Sequence, residues 1–287
     1  MWIIYALLTA FLLATSDAIA KKVLAVRDEY LVACMRLLFA LPLFVITLLL
    51  IDVPSLDRIF WVSSSIALPL EIAAIILYVK ALKVSPMSFS IPFLTLTPVF
   101  LVGISYFLLG EKISLIGGAG IILISAGGYM LNIHKAWGSP MEPLRAVLKE
   151  RGVLMMIAVA FIFSMTSSLG KMAIEHSSPL FFGGFYFIMI TLIFTPVAIW
   201  KNKGKIEITR RDIVPLSLAG ITYFLMIIFH MVAISLTQVA YMISVKRMSI
   251  FFSIMYGYLI FRERDIRERV LGSIVMFAGF LLIVLHP

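Results

Sequence analysis

The fold is decided by the stretch SYFLLGEKISLIGGAGIILISAGG, residues 105–128, and by its partial repeat GYLIFRERDIRERVLGSIVMFAGF, residues 257–280. In both, an apolar segment ends at a glutamate followed by a basic residue, and a second apolar segment with spaced glycines follows. The two stretches belong to an ungapped match of residues 78–128 with residues 230–280, in which 9 of 51 positions are identical. Because the matching positions include the glutamate, the basic residue after it and the spaced glycines, the chain is predicted to contain an internal repeat.

The composition is that of a membrane protein. Hydrophobic residues make up 62% and charged residues 14% of the chain, and its mean hydropathy is +1.09. A soluble domain carries about 25% charged residues, whereas a membrane-crossing helix needs about 20 predominantly apolar residues. The apolar runs therefore predict an all-α polytopic membrane protein with ten transmembrane helices. These spans, numbered 1 to 10, are residues 2–21, 30–51, 59–82, 86–109, 113–133, 152–173, 179–200, 213–235, 238–261 and 270–286.

The repeat divides the ten spans into two groups of five. Residues 1–133 form the first repeat and residues 152–287 the second, and the connecting loop 134–151 contains SPMEPLRAVLKE, which is expected to form a short interfacial helix. A further match of AFLLATSDAIAKK with AFIFSMTSSLGKM places Lys21 on Lys171, so span 1 is expected to be a retained helix rather than a signal peptide. Since each repeat has an odd number of spans, the second must be inverted relative to the first.

The distribution of lysine and arginine agrees with this inversion. Counted together with the lysines in the last turns of the preceding spans, the connections after spans 1, 3, 5, 7 and 9 hold 18 of these residues, and those after spans 2, 4, 6 and 8 hold 3. Basic residues accumulate in the cytoplasmic connections of membrane proteins. The bias therefore predicts that the odd-numbered connections are cytoplasmic and that both termini lie outside.

The five-span halves, the short connections and the Glu-basic motif after spans 4 and 9 resemble the EamA family of the drug/metabolite transporter (DMT) superfamily. The resemblance covers the whole chain and is carried by residues 81–131 and 233–284. It implies two inverted five-helix EamA repeats around a central cavity that opens alternately to each side, with spans 5 and 10 outside that core. Many family members are described with both termini in the cytoplasm, so the charge distribution here departs from the family pattern.

Five ionisable residues are predicted to lie within the membrane. A charge at the centre of a transmembrane helix costs roughly 3 kcal/mol, so such side chains usually face the protein interior or water. Three are cations and two are acids, which leaves a net charge of +1 in this region. They are Asp17 near the end of span 1, Arg36 in span 2, Glu71 in span 3, and Lys246 and Arg247 in the middle of span 9.

The repeat indicates that the scaffold does not require the charges of spans 3 and 9. Lys246 and Arg247 fall on Leu94 and Thr95 of the first half. We therefore interpret Lys246, Arg247 and Glu71 as a central substrate-binding site, in which one cation pairs with Glu71 and the other binds an anionic or zwitterionic substrate. Glu71, beside apolar neighbours, is also the candidate for carrying a coupled proton. The alternative is a structural ion pair that fixes the helix register while the second cation extends to the interface.

Further substrate-binding candidates follow from depth and from the repeat. Tyr223 falls on the position of Glu71, and Tyr78 on span 3 is matched with His230 on span 8. Arg36 could instead extend its guanidinium to the nearby interface. The further candidates are Asp17, Arg36, Tyr78, Tyr223 and His230.

Three prolines are predicted to bend the helices in which they lie. Pro69 would kink span 3, and Pro92 and Pro98 would kink span 4, either to support a rocking motion or because proline is common in membrane helices.

The spacing of two glycine pairs, seven residues apart on one helix face, predicts close helix packing. These pairs are Gly120 with Gly127 and Gly272 with Gly279.

The glutamates of the repeated motif, Glu111 and Glu263, lie at the ends of spans 4 and 9. They are expected to cap a helix or to pair locally rather than to bind substrate.

The sequence as a whole predicts a secondary transporter, an exporter of small polar metabolites such as amino acids across the cytoplasmic (inner) membrane by alternating access. The alternative is a lipid scramblase or a non-transporting membrane sensor. No enzyme is predicted, because the four histidines are scattered and no HExxH, GxSxG or P-loop motif occurs. We accordingly predict no catalytic residue, no cofactor and no metal site. The expected partners are a small-molecule metabolite and membrane lipids, not nucleic acid, and the expected state is a monomer or homodimer.

Overall fold

The computed structural model describes residues 1–24, 26–85, 90–133, 150–202, 208–259 and 267–285, and all the regular structure in these ranges is helical. The interfacial helix predicted at residues 139–150 falls almost entirely outside these ranges, and Glu263 lies outside them. The helices are Trp2–Leu24 (α1), Glu29–Leu50 (α2), Arg58–Val84 (α3), the 3-10 helix Ile91–Leu96, Thr97–Leu109 (α4), Leu115–Ile133 (α5), Arg151–Glu175 (α6), Pro179–Lys201 (α7), Arg210–Ser235 (α8), Val239–Lys246 (α9), Ser249–Leu259 (α10) and Arg267–Leu285 (α11).

The helices are long and apolar enough to form a multi-pass membrane protein. Within the described ranges, seven segments meet the length and composition of a membrane span: α1, α2, most of α3, α6, α7, α8, and Val239–Gly257, which joins α9 to α10. Three shorter apolar helices, Phe93–Leu109, Leu115–Met130 and Leu271–Leu285, fall on predicted spans 4, 5 and 10.

Predicted spans 4 and 9 are not continuous α-helices in the structure. Span 4 contains a 3-10 helix that gives way to α4 at Thr97. Pro98 lies in the first turn of α4 and has no N–H to bond to the preceding turn, which explains the change. Pro69, in contrast, lies inside the uninterrupted helix α3.

Span 9 is interrupted at Arg247 and Met248 without any proline. The N–H of Met248 bonds to the carbonyl of Val245 at 2.9 Å, which is the tighter i to i−3 pattern of a helix end. The second segment, α10, begins at Ser249, which is the repeat counterpart of Thr97, the first residue of α4. Both halves therefore depart from a continuous α-helix at the same position of the same span, by a change from 3-10 to α-helix in span 4 and by a break in span 9.

Polar side chains fix the beginnings of several helices. Each N-cap oxygen accepts a backbone N–H that has no partner inside the helix. At α8, Thr209 and Asp212 satisfy each other's backbone N–H groups in a capping box. The N-cap residues with such bonds include Asp28 at α2, Asp57 at α3 and Ser178 at α7.

Helix packing follows the internal repeat. Helix α1 packs along α8, and the counterparts of these helices, α6 and α3, pack along each other. The likeness extends to side chains: Phe11 meets Phe252 edge to face at 5.5 Å between ring centroids, and their counterparts Phe161 and Phe100 do the same at 5.6 Å. The two halves are thus related by an approximate two-fold symmetry.

Helices that are repeat counterparts of each other pack antiparallel. Along α2 and α7, the thiol of Cys34 lies 3.6 Å from the hydroxyl of Thr195, while Phe44 stacks on Phe187 at 5.6 Å between ring centroids. The contacts move forward along α2 and backward along α7. The two halves are therefore inverted relative to each other, as the odd span count predicts.

The repeated glycines allow α5 and α11 to cross at backbone distance. A Cβ on Gly120 would lie 2.8 Å from the carbonyl oxygen of Gly279, and one on Gly127 would lie 2.6 Å from that of Gly272. Any side chain at these positions would force the helices apart. The prediction that these glycines serve close packing is confirmed, and the crossing is again antiparallel.

Candidate functional site

The eight predicted site residues lie in one electrostatic cluster at the interface of the two halves. Lys246 interacts with Asp17, Glu71 and Arg247. The other members are joined to this group by their own interactions with at least one of its charges. The first half provides Asp17, Arg36, Glu71 and Tyr78 from α1, α2 and α3, and the second half provides Tyr223, His230, Lys246 and Arg247 from α8, α9 and its C-cap.

Arg36 is held by two partners from different helices. Its Nη1 donates a 2.7 Å hydrogen bond to Oδ1 of Asp17, and its guanidinium carbon lies 4.3 Å from the ring centroid of Tyr223. The side chain of Asp17 is 54% exposed, whereas that of Arg36 is 22% exposed. Arg36 is therefore committed to an ion pair and a cation–π contact inside the helix assembly, rather than extended to the interface.

Lys246 and Arg247 lie at the interruption of span 9. Nη2 of Arg247 donates a 2.8 Å hydrogen bond to the hydroxyl of Thr97, and its Nε is buried with no partner among the described residues. Lys246 is partly buried, and within the described part of the chain its ammonium has no hydrogen bond or ion pair. Two cations in this region are thus left without a carboxylate partner.

Glu71 does not form the direct ion pair expected from the sequence. Among the described residues, neither Lys246 nor Arg247 lies within 4.0 Å of its carboxylate. Glu71 interacts with Lys246 at longer range and lies beside the hydroxyl of Thr166 on α6. The physical reason is that the carboxylate has the Thr166 hydroxyl as its near partner, so that its attraction to the Lys246 ammonium acts at longer range.

Tyr78 and His230 remain counterparts in the structure. Tyr78 is partly buried and interacts with Asp17, Arg36 and Arg247. His230 is 8% exposed, interacts with Lys246, and has a buried Nδ1 without a partner in the described ranges. The Nδ1 of His230 therefore has a free hydrogen-bonding position among the described residues. The described residues contain no group of three or more His, Cys, Asp or Glu side chains that could hold a metal ion.

The glutamate of the repeated motif has a separate, structural role. Glu111 pairs with Lys171 of α6, and its carboxylate accepts the N–H of Val239 at 3.0 Å at the beginning of α9. Lys171 also donates to the carbonyl of Thr237 at 2.8 Å. The expectation that Glu111 caps or pairs at a span end is confirmed, and the network ties spans 4, 6 and 9 together.

Comparison with known proteins agrees with the repeat and the helix packing. The family model of the EamA-like transporter family matches residues 1–133 and again residues 150–285. The chain belongs to the EamA-like transporter family. The resemblance inferred from the repeated motif is therefore confirmed, and the protein is a multi-pass membrane transporter of small molecules.

A solved structure shares the fold of this EamA protein. It is a crystal structure described only as that of a protein, with a TM-score of 0.76 and 16% sequence identity, and the match covers 98% of this chain and 95% of that chain. At this level of identity the likeness concerns the fold alone. No curated protein shows significant sequence similarity to the chain.

Sequence reasoning missed three polar residues around the site of this EamA protein. Thr97 and Thr166 lie beside Arg247 and Glu71, and small hydroxyl residues in apolar helices gave no signal of their own. Tyr186 on α7 is 5% exposed, interacts with Glu71, and has a buried hydroxyl that finds no partner in the part of the chain that the structure describes. The repeat could have found it, because the 150-residue offset that matches Lys21 with Lys171 also places Arg36 on Tyr186.

Proposed function

We propose that this protein is a secondary transporter that exports small polar metabolites, anionic or zwitterionic, such as amino acids, by alternating access. The observation that supports this most directly is the cluster of eight charged and polar side chains from both halves, two of which, Lys246 and Arg247, lie at the interruption of span 9. Interrupted helices in paired inverted repeats are where transporters bind their substrates, because polar groups can be left open there within the membrane.

The topology belongs to the same proposal. The seven long segments and the three shorter apolar helices would together cross the membrane ten times, in units of residues 1–133 and 152–287 joined by residues 134–151. The excess of lysine and arginine in odd-numbered connections favours a cytoplasmic (inner) membrane with both termini outside. Cysteine accessibility in cells tests the orientation: in a Cys34→Ser background, Asp52→Cys should react with an impermeant reagent and Lys22→Cys should not. The reverse pattern would overturn the orientation.

In the proposed cycle, Lys246 and Arg247 bind the anionic part of the substrate. Glu71, which interacts with Lys246 at longer range, either binds a cationic part or carries a coupled proton. Asp17, Arg36, Tyr78, Tyr223 and His230 complete the site wall. Energy would come from an ion gradient, exchange or downhill flow, since the sequence contains no P-loop.

Counterflow in vesicles tests the function. The purified protein, as monomer or homodimer, is reconstituted with an internal mixture of amino acids and organic acids, and uptake of each labelled compound is followed. Saturable uptake whose rate or substrate preference changes in Lys246→Ala and Glu71→Gln, but not in the exposed-site control Lys112→Ala, supports transport through this site. Movement of labelled lipid without any solute would identify a scramblase instead, and movement of neither would favour a sensor.

A further inference from the structure

Two charged side chains of the site form an ion pair with each other, and three others have no directly bound partner of opposite charge among the described residues. Arg36 and Asp17 form a direct ion pair and together contribute no net charge. Lys246, Arg247 and Glu71 remain, and among the described residues none of them has an oppositely charged partner within 4.0 Å. With Glu71 counted as ionised, Lys246 and Arg247 as cations and His230 as neutral, this part of the site carries a net charge of +1.

An unneutralised charge matters most when the site is closed to water. An empty site open to solvent can be hydrated, but an occluded charge within the membrane costs several kcal/mol. The occupant that makes the closed site neutral is therefore favoured. A zwitterion would leave the charge at +1, and a dianion would turn it to −1, whereas a monoanion brings it to zero.

We propose that the substrate is a small organic monoanion, a monocarboxylate rather than a zwitterionic amino acid. This rests on the proposed function and narrows it. The carboxylate lies between the ammonium of Lys246 and the guanidinium of Arg247, whose buried Nε has no partner in the described ranges. A phosphate monoester is disfavoured because it carries a charge of about −1.5 to −2 at pH 7.

Arg247 is prepared for such a ligand. Its hydrogen bond to Thr97 fixes one terminal nitrogen, so the guanidinium need not lose that freedom when it binds. Thr97 is 1% exposed and donates its own hydroxyl proton to the carbonyl of Leu94 at 2.8 Å, which leaves its oxygen lone pairs for Arg247. Lys246, in contrast, has no hydrogen bond or ion pair among the described residues that would have to break when it binds the carboxylate.

The test compares ligands that differ in charge on the same carbon framework. Three frameworks are used: four-carbon aliphatic, six-carbon aliphatic and phenylpropyl. Each is presented as monocarboxylate, dicarboxylate and α-amino acid, and binding to the purified full chain is measured by ligand-dependent thermal shift and by vesicle counterflow at pH 7. On each framework that binds, we expect the monocarboxylate to bind at least about tenfold more tightly than its two analogues, a difference of about 1.4 kcal/mol.

Two variants are expected to change the charge of the preferred ligand in opposite directions. Lys246→Met lowers the site charge to zero and should remove the advantage of the monocarboxylate over the amino acid. Glu71→Gln raises the charge to +2 and should shift the preference to the dicarboxylate. Leu94→Met, at the repeat counterpart of Lys246, changes no charge and should leave the ranking intact.

The outcomes separate this inference from the proposed function. Preference of the wild-type protein for the amino acid on the frameworks that bind would overturn the monoanion assignment and leave the transporter proposal standing. Binding and transport of none of the nine ligands by folded wild-type protein would overturn both. The wild-type ranking is decisive even if a variant fails to fold.

Discussion

Arg247 and Thr97 join the two interruptions of the fold: Nη2 of Arg247 donates a 2.8 Å hydrogen bond to the hydroxyl of Thr97. Thr97 is the first residue of α4, and Arg247 lies between α9 and α10. Each residue comes from a different repeat, so one bond ties the centre of span 4 to the centre of span 9. Any motion that separates the halves at this level must break it.

Thr97→Val should weaken this connection. Valine has nearly the same shape as threonine but no hydroxyl, so the guanidinium of Arg247 loses an acceptor. Polar contacts between membrane helices are worth about 1 kcal/mol, and we expect a loss of that order in the free energy of unfolding in detergent, with weaker ligand binding at the site. Thr97→Ser keeps the hydroxyl and serves as control. Equal stability and binding in both variants would show that the bond has no role.

The buried pair of Glu111 and Lys171 should contribute much more. The two side chains are 8% and 10% exposed, and removal of one partner leaves a buried charge, which typically costs about 3–5 kcal/mol. We expect Lys171→Met to destabilise by an amount in that range, and Glu111→Gln with Lys171→Met to cost less than the two single changes summed. A double-mutant cycle measures this coupling, with the exposed Lys112→Met as control; additive costs would contradict it.

Two glycines of α5 should respond differently to the same substitution. A Cβ on Gly127 would lie 2.6 Å from the backbone of α11, whereas a Cβ on Gly118 would meet its nearest atom at 3.9 Å. Overpacking costs about 1–3 kcal/mol, so Gly127→Ala should lower Tm. Gly118→Ala should leave Tm unchanged or raise it, because alanine favours the helix by about 1 kcal/mol. The same Tm for both variants would contradict the close crossing.

Asp57 should make stability depend on pH in the acid range. The N–H of Phe60, and to a lesser degree the neighbouring His176, hold the pKa of the Asp57 carboxyl below its usual range. A lowered pKa in the folded state gives stabilisation that is present above the usual Asp value of about 3.9 and lost as pH falls through the folded-state pKa. The Tm difference between wild type and Asp57→Asn should therefore be largest near about pH 5 and shrink below about pH 4.

The control for this pH series is Asp52→Asn, which changes an exposed acid in the same connection. A difference between wild type and Asp57→Asn that persists unchanged into acid would show that the carboxylate charge at Asp57 does not stabilise the fold.

Much of the fold follows from the sequence because the lengths of the apolar segments and the repeated glutamate and glycine positions are strong signals. The glycine spacing predicted the crossing of α5 and α11, and the odd span count predicted the inversion. The break in span 4 has a local cause in Pro98. The break at Arg247 and Met248 has none, since no proline or glycine lies there. Only the counterpart position in the other half, at Thr97, could have indicated it.

The candidate site was predictable as a set of residues but not as a set of contacts. Ionisable residues in apolar spans are costly, and this alone selected Asp17, Arg36, Glu71, Lys246 and Arg247. Their pairing depends on helix rotation, which sequence spacing does not fix. The guanidinium of Arg36 therefore meets Asp17, while Glu71 stands apart from Lys246.

The antiparallel packing of counterpart helices bears on how such a chain can have arisen and can diverge. Two separate copies of one five-helix ancestor could build this scaffold only by inserting into the membrane in opposite directions. In that assembly each position occurs twice, so a Lys-Arg pair would be duplicated and the excess positive charge in the membrane would grow. A fused gene removes this constraint, because one copy can hold Leu94 and Thr95 while the other holds Lys246 and Arg247. In the fused chain, a single mutation can thus add a charge to one half without adding the same charge to the other.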